Sequence, residues 1–158
     1  MQSQYRTQFN RQPERIRPAL GGAKMVYEST KDGEIVRALQ SGDVARAMHR
    51  GSVAEALAEG SIAEAWAEGS IAKACVADST AVAMVKGSVA VALVKGSRAV
   101  ALVKGSTAEA LEEGSTAVAG APGSRAKAGA AGSKAVALVA GSTAKAGAAG
   151  AIAIPHAV

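Results

Sequence analysis

The sequence predicts an all-β chain: a parallel β-solenoid preceded by a non-globular N-terminal arm. Three observations carry this. Glycine recurs every nine residues from Gly33 to Gly150, with Asp78 in its place once. Alanine fills the fourth and sixth positions of nearly every nine-residue unit, and variable residues fill the third, fifth and seventh. Aromatic residues make up only 3% of the chain, so a conventional core of bulky side chains is not on offer. A strict short period means one small unit stacked on itself. Alternation with period two is the strand signature. A core of small side chains needs backbone ladders between repeats to hold it.

Residues 1–22 come first. They are polar, rich in Gln and Arg, and broken by Pro13, Pro18 and Gly21-Gly22, which predicts a flexible basic arm. Arg6, Arg11, Arg15, Arg17 and, just beyond, Lys24 stand against Glu14 alone. The net charge of +5 is thus concentrated in this arm, while the repeats are nearly balanced. Residues 23–32 follow, with the β-favouring run Met25-Val26-Tyr27 before the turn signal Lys31-Asp32-Gly33. They predict a first strand that caps the stack.

Residues 33–158 are the repeat body, 14 units with the consensus Gly-Ser-x-Ala-x-Ala-Leu-x-x. A helix is the competing local structure, because segments such as EALAEGSIAEAWAEG contain good helix formers. Nine residues make two and a half helical turns, however, so glycine would alternate between opposite sides. Each glycine would also cost about 1 kcal/mol relative to alanine. Strands with Gly-Ser corners avoid both problems. The fixed alanines then point inward. Charged residues such as Glu55, Glu64, Lys73, Glu109, Lys127 and Lys145 point outward, since burial without partners is costly. The serine hydroxyls sit at the corners, within reach of turn backbone. The seventh-position leucine faces out, or tucks into the corner through a bulge.

A second period of 18 sets the coil. Residues 123–131 (GSRAKAGAA) and 141–149 (GSTAKAGAA) nearly match, and the intervening units differ at the fifth position. Two strands per coil give seven coils, a stack about 34 Å long. Three strands per coil would make a triangular prism, for which the 27-residue similarity is weaker.

The spacing resembles short nonapeptide-repeat β-solenoids. It is similar in period to the calcium-binding β-roll family, whose units read Gly-Gly-x-Gly-x-Asp-x-apolar-x. The calcium aspartates are missing here, because Asp78 is the only Asp after Asp43. The resemblance therefore implies the architecture without the calcium sites. The Gly-Ser-x-Ala-x-Ala phrase also resembles head repeats of trimeric autotransporter adhesins, which have a longer period and a secretion signal.

No catalytic constellation emerges, so a non-enzyme without cofactor or metal is expected. His49 and His156 lie far apart, and a metal site needs several convergent donors. Cys75 is the single cysteine, which excludes an internal disulfide and reads as a structural thiol. The pairs Glu55/Glu59, Glu64/Glu68 and Glu112/Glu113 have no insertion around them to form a cleft. The sequence has no apolar h-region near its start and no apolar run long enough for a membrane helix. A cytoplasmic protein, or one carried in a virion or released into host cytoplasm, is the expectation.

The sharpest candidate site is an outer apolar row. Val82, Val100, Val118, Val136 and Ile154 recur every 18 residues, with Met84, Leu102 and Leu138 two residues further on. Aligned on one sheet they form an apolar stripe of the kind that marks an interaction surface. A self-associating structural or protein-interaction module follows, of the phage-type structural or host-interaction (inhibitor) kind, with homo-oligomers as the main partner. The alternative is a nucleic-acid-associated protein that contacts phosphates through Arg6, Arg11, Arg15, Arg17 and Lys24. Protein partners of the arm are a further expectation. Pro155 breaks the last strand and reads as a C-terminal stopper against endless stacking.

Overall fold

The computed structural model describes residues 24–156. Fifteen short strands run through them: β1 (Val26–Glu28), β2 (Ile35–Ala38), β3 (Val44–Ala47), β4 (Val53–Ala56), β5 (Ile62–Ala65), β6 (Ile71–Ala74), β7 (Thr80–Ala83), β8 (Val89–Ala92), β9 (Arg98–Ala101), β10 (Thr107–Ala110), β11 (Thr116–Ala119), β12 (Arg125–Ala128), β13 (Lys134–Ala137), β14 (Thr143–Ala146) and β15 (Ile152–Ile154). Odd-numbered strands form one eight-stranded parallel sheet and even-numbered strands a seven-stranded one, each in sequence order. Every strand pairs with the strand two along at a register of 18, as in Val82↔Val100 and Glu109↔Lys127. The fold is a β-solenoid with two strands per coil, and the triangular alternative does not occur. Among the described residues no helix is long and apolar enough to cross a membrane.

The inner faces explain the alanine rule. From Ala45 to Ala119 every fourth- and sixth-position alanine has no exposed surface. The two sheets sandwich these methyl groups, and in every strand from β3 to β10 buried and outer residues alternate one by one. Little side-chain area is gained per residue, so the parallel ladders between coils supply cohesion that a small core cannot.

The corners explain glycine and serine. From Ser52 to Ser142 each corner is a four-residue turn ending on the serine, whose N–H donates to the carbonyl three residues back, as in Ser88 to Val85 at 3.1 Å. The third turn residue is left-handed, which favours glycine. At Gly105 φ is +79°, and a Cβ there would sit 3.1 Å from Lys86 Cγ on the coil before. Asp78 takes the same conformation with φ 58°, one of the few non-glycine residues that tolerates it. The serine side chains are fully buried from Ser52 to Ser133. From Ser61 to Ser142 each hydroxyl closes its own turn: Ser88 Oγ donates to the Val85 carbonyl at 2.5 Å and accepts from the Val85 N–H at 3.2 Å, whereas Ser52 Oγ donates to the Lys31 carbonyl of the coil before at 3.1 Å. These bonds satisfy polar groups that burial would otherwise penalise.

The two ends differ. At the N-terminal end Tyr27 and Val36 occupy inward positions that alanine holds elsewhere, and both pack against the alanine core. Asp43 replaces the corner serine, lies buried, and accepts a hydrogen bond from the Met25 N–H at 3.0 Å. Burial, and the Asp43 carboxylate beside it, push the Tyr27 phenol above its usual pKa. At the C-terminal end β14 and β15 are the last strands of their sheets, and Ala146 and Ala153 are exposed. Pro155 follows directly after β15 and is itself exposed.

Candidate interaction face

The odd sheet gathers the apolar row. Its fifth-position ladder runs Glu28, Arg46, Glu64, Val82, Val100, Val118, Val136, Ile154. Parallel in-register pairing at a register of 18 brings these residues into a single file about 4.8 Å apart. The seventh-position residues form a second file beside it, in which Leu102 and Leu138 are about half exposed at 45% and 55%. Leucine at this position therefore faces outward rather than into the corner. Met84 is partly covered. At the middle of the stripe the surface flattens. Val118 is only 8% exposed, and the seventh position of that coil is Gly120. A Cβ on Gly120 would stand 3.2 Å from Leu102 Cδ2, so Leu102 leans into the space a side chain would need.

In the first coils of the same sheet the fifth-position file carries charge instead, while Met48 and Trp66 keep the seventh-position file apolar, exposed at 40% and 39%. Arg46 bridges Glu28 at 3.1 Å and Glu64 at 2.8 Å. Trp66 Nε1 donates to Glu64 at 2.8 Å, and the Arg46 guanidinium lies 5.9 Å from the Trp66 ring centroid. Hydrogen bonds to Glu64 and Glu28 raise the Arg46 pKa further and hold the guanidinium charged. The apolar stretch of the fifth-position file thus begins at Val82 and runs to Ile154.

The even sheet presents a different ladder in the same position: Arg37, Glu55, Lys73, Val91, Glu109, Lys127, Lys145. Glu55 pairs with Arg37 at 2.9 Å and with Lys73 at 3.6 Å, and Lys127 lies 4.0 Å from Glu109. Opposite charges one coil apart stabilise such a ladder modestly. Val91 is the one apolar residue in this file.

The remaining sequence candidates scatter. Arg6, Arg11, Arg15 and Arg17 lie outside the described residues. Lys24 is exposed, with its aliphatic chain lying over Gly42. His49 sits at a corner with Nδ1 3.0 Å from the Ser29 carbonyl oxygen, and His156 is exposed at the far end. Cys75 is half buried on the even sheet, and burial pushes its thiol pKa up, away from the reactive thiolate. Glu64 and Glu55 are engaged by Arg46, Arg37 and Lys73, and Glu68 pairs with Arg50 at 3.4 Å. Among the described residues no three metal-ligating side chains converge.

Sequence reasoning missed three features. Third-position apolar residues cluster in the early coils: Val44 and Ile62 on the odd sheet, Val53 and Ile71 on the even one. Sorting positions by parity of the unit would have found them. Tyr27 is an inward plug opposite Ala45, and the alanine rule gives no sign of it. The Arg46–Trp66 contact spans 20 residues and depends on the coil height, so no local pattern announces it.

No family model, characterised protein or solved structure matches the chain.

Proposed function

We propose that this protein is a non-catalytic structural or interaction module that self-associates through the outer face of the odd sheet. A phage-type structural or host-interaction role fits such a module and is part of the proposal. The reading rests on one observation: the unbroken apolar file Val82, Val100, Val118, Val136 and Ile154, flanked by Leu102 and Leu138. Contiguous apolar surface of this kind marks association sites more often than it is left in water. The even sheet supplies the control, since its corresponding file is charged except at Val91.

The occupant is a second copy of the same face. Two such stripes laid together bury each other's valines and leave the flanking Thr80, Arg98, Thr116 and Lys134 at the edge, an apolar centre with a polar rim. The stripe is narrow and about five coils tall, roughly 20 Å. A stripe of that size buries less than a usual specific interface, so weak, concentration-dependent association is expected. Light scattering over a concentration series tests this. The double variant Val100→Lys/Val118→Lys should remain monomeric where the parent chain dimerises. Val91→Lys on the even sheet should dimerise like the parent. An equal mass for the double variant and the parent at every concentration refutes the interface.

A further inference from the structure

The charge pattern of the odd sheet selects how two copies face each other, given the self-association proposed above. If the two stripes are to lie along each other, a twofold axis can relate the faces in only two ways. With the axis along the solenoid, each coil meets its own copy. Glu28 then faces Glu28 of the second copy, Arg46 faces its Arg46, and Glu64 faces its Glu64, all in the central file where water is excluded. Like charges brought together without water oppose association. With the axis along the strands, one copy runs antiparallel to the other. The stripe from Val82 to Ile154 is centred on Val118, so an axis through Val118 superimposes the two stripes. Val82 then faces Ile154 of the second copy, Val100 faces its Val136, and Leu102 faces its Leu138. Glu28, Arg46 and Glu64 project past the last strand of the second copy and stay in water.

An independent feature points the same way. A residue on a twofold axis meets its own image, so a protruding side chain there would collide with itself. The coil at the centre of the stripe is the flattest on this face, with Val118 at 8% exposure and Gly120 in place of the seventh-position leucine. We infer that two copies pair antiparallel, face to face, about an axis through Val118 and Gly120, placing the charged first coils outside the contact.

One like-charge contact remains at the rim, where Arg98 faces Lys134 of the second copy. Its ladder neighbours within the chain, Thr80 and Thr116, are uncharged, so the site answers cleanly to substitution. Reversing the charge with Arg98→Glu should tighten dimerisation by about fivefold, the worth of an exposed ion pair. In the other arrangement Arg98 faces Leu102 of the second copy, and the same change should weaken dimerisation or leave it unaltered.

Cross-linking with a short bis-maleimide decides the geometry, on a Cys75→Ser background. Thr116→Cys, partly exposed on the same axis, should cross-link to itself. Val82→Cys should give no dimer alone but should cross-link when mixed with the Ile154→Cys variant. Efficient cross-linking of Val82→Cys to itself overturns the antiparallel arrangement. A dimeric mass with no cross-link from Thr116→Cys overturns the axis. A monomeric parent at all concentrations overturns self-association itself, which separates failure of that reading from failure of this one.

Discussion

The two sheets share one inner surface and differ outside chiefly at the fifth position of the later coils. Odd and even strands bury the same alanines in the same register, and both end at the same serine-closed corners. On the outside, the odd sheet from β7 onward carries valine in file, while the even sheet carries Arg37, Glu55, Lys73 and later Glu109 and Lys127. The contrast shows a division of labour within nine residues. Four positions of the unit set the solenoid, and the outer ones are free to vary with a period of 18. A chain built this way can change what one wall recognises without touching what holds it up.

The largest expected effect tests the shared half of that comparison. Ala99 on the odd sheet and Ala108 on the even sheet are both fully buried. Ala99→Leu and Ala108→Leu should each destabilise by about 3 kcal/mol, because an overfilled core must push its walls apart. Thermal unfolding should show the two variants alike. A large difference between them would mean that the walls are not equivalent. Next comes the outer half: Val100→Lys/Val118→Lys should remove self-association, while Val91→Lys should not, as light scattering will read.

Corner strain is expected to be smaller. Gly105→Ala places a Cβ in the left-handed region and against Lys86, at a cost of about 1–2 kcal/mol in denaturant unfolding. A neutral result would show that the corner relaxes freely. Smallest is the charged ladder. Glu55→Gln removes a pairing with both Arg37 and Lys73 and should cost less than about 1 kcal/mol, with the difference shrinking at high salt. A salt-independent loss would assign the effect to packing rather than charge.

The fold was largely legible because its rules are local. Glycine or Asp78 every nine residues states where the chain turns, and Ala45/Ala47 or Ala99/Ala101 states which side is in. The candidate face was legible only where its file is uniform. Val82 to Ile154 stands out at a spacing of 18, whereas Val44 and Ile62 escaped notice because they occupy the third position rather than the fifth. The plug formed by Tyr27 and Val36 was hidden by the same logic, since each breaks the alanine rule once and in a different unit.

The sequence alone determined the strand, the corner and the coil length, because small residues at fixed spacing leave the backbone few other ways to fold. Only the tertiary structure decided that the seventh position faces water, that Arg46 bridges Glu28 and Glu64 beside Trp66, and that Val118 lies flush while Leu102 leans over Gly120. Those facts depend on which side chains meet from one coil to the next, a distance of 18 residues along the chain but only about 4.8 Å in space.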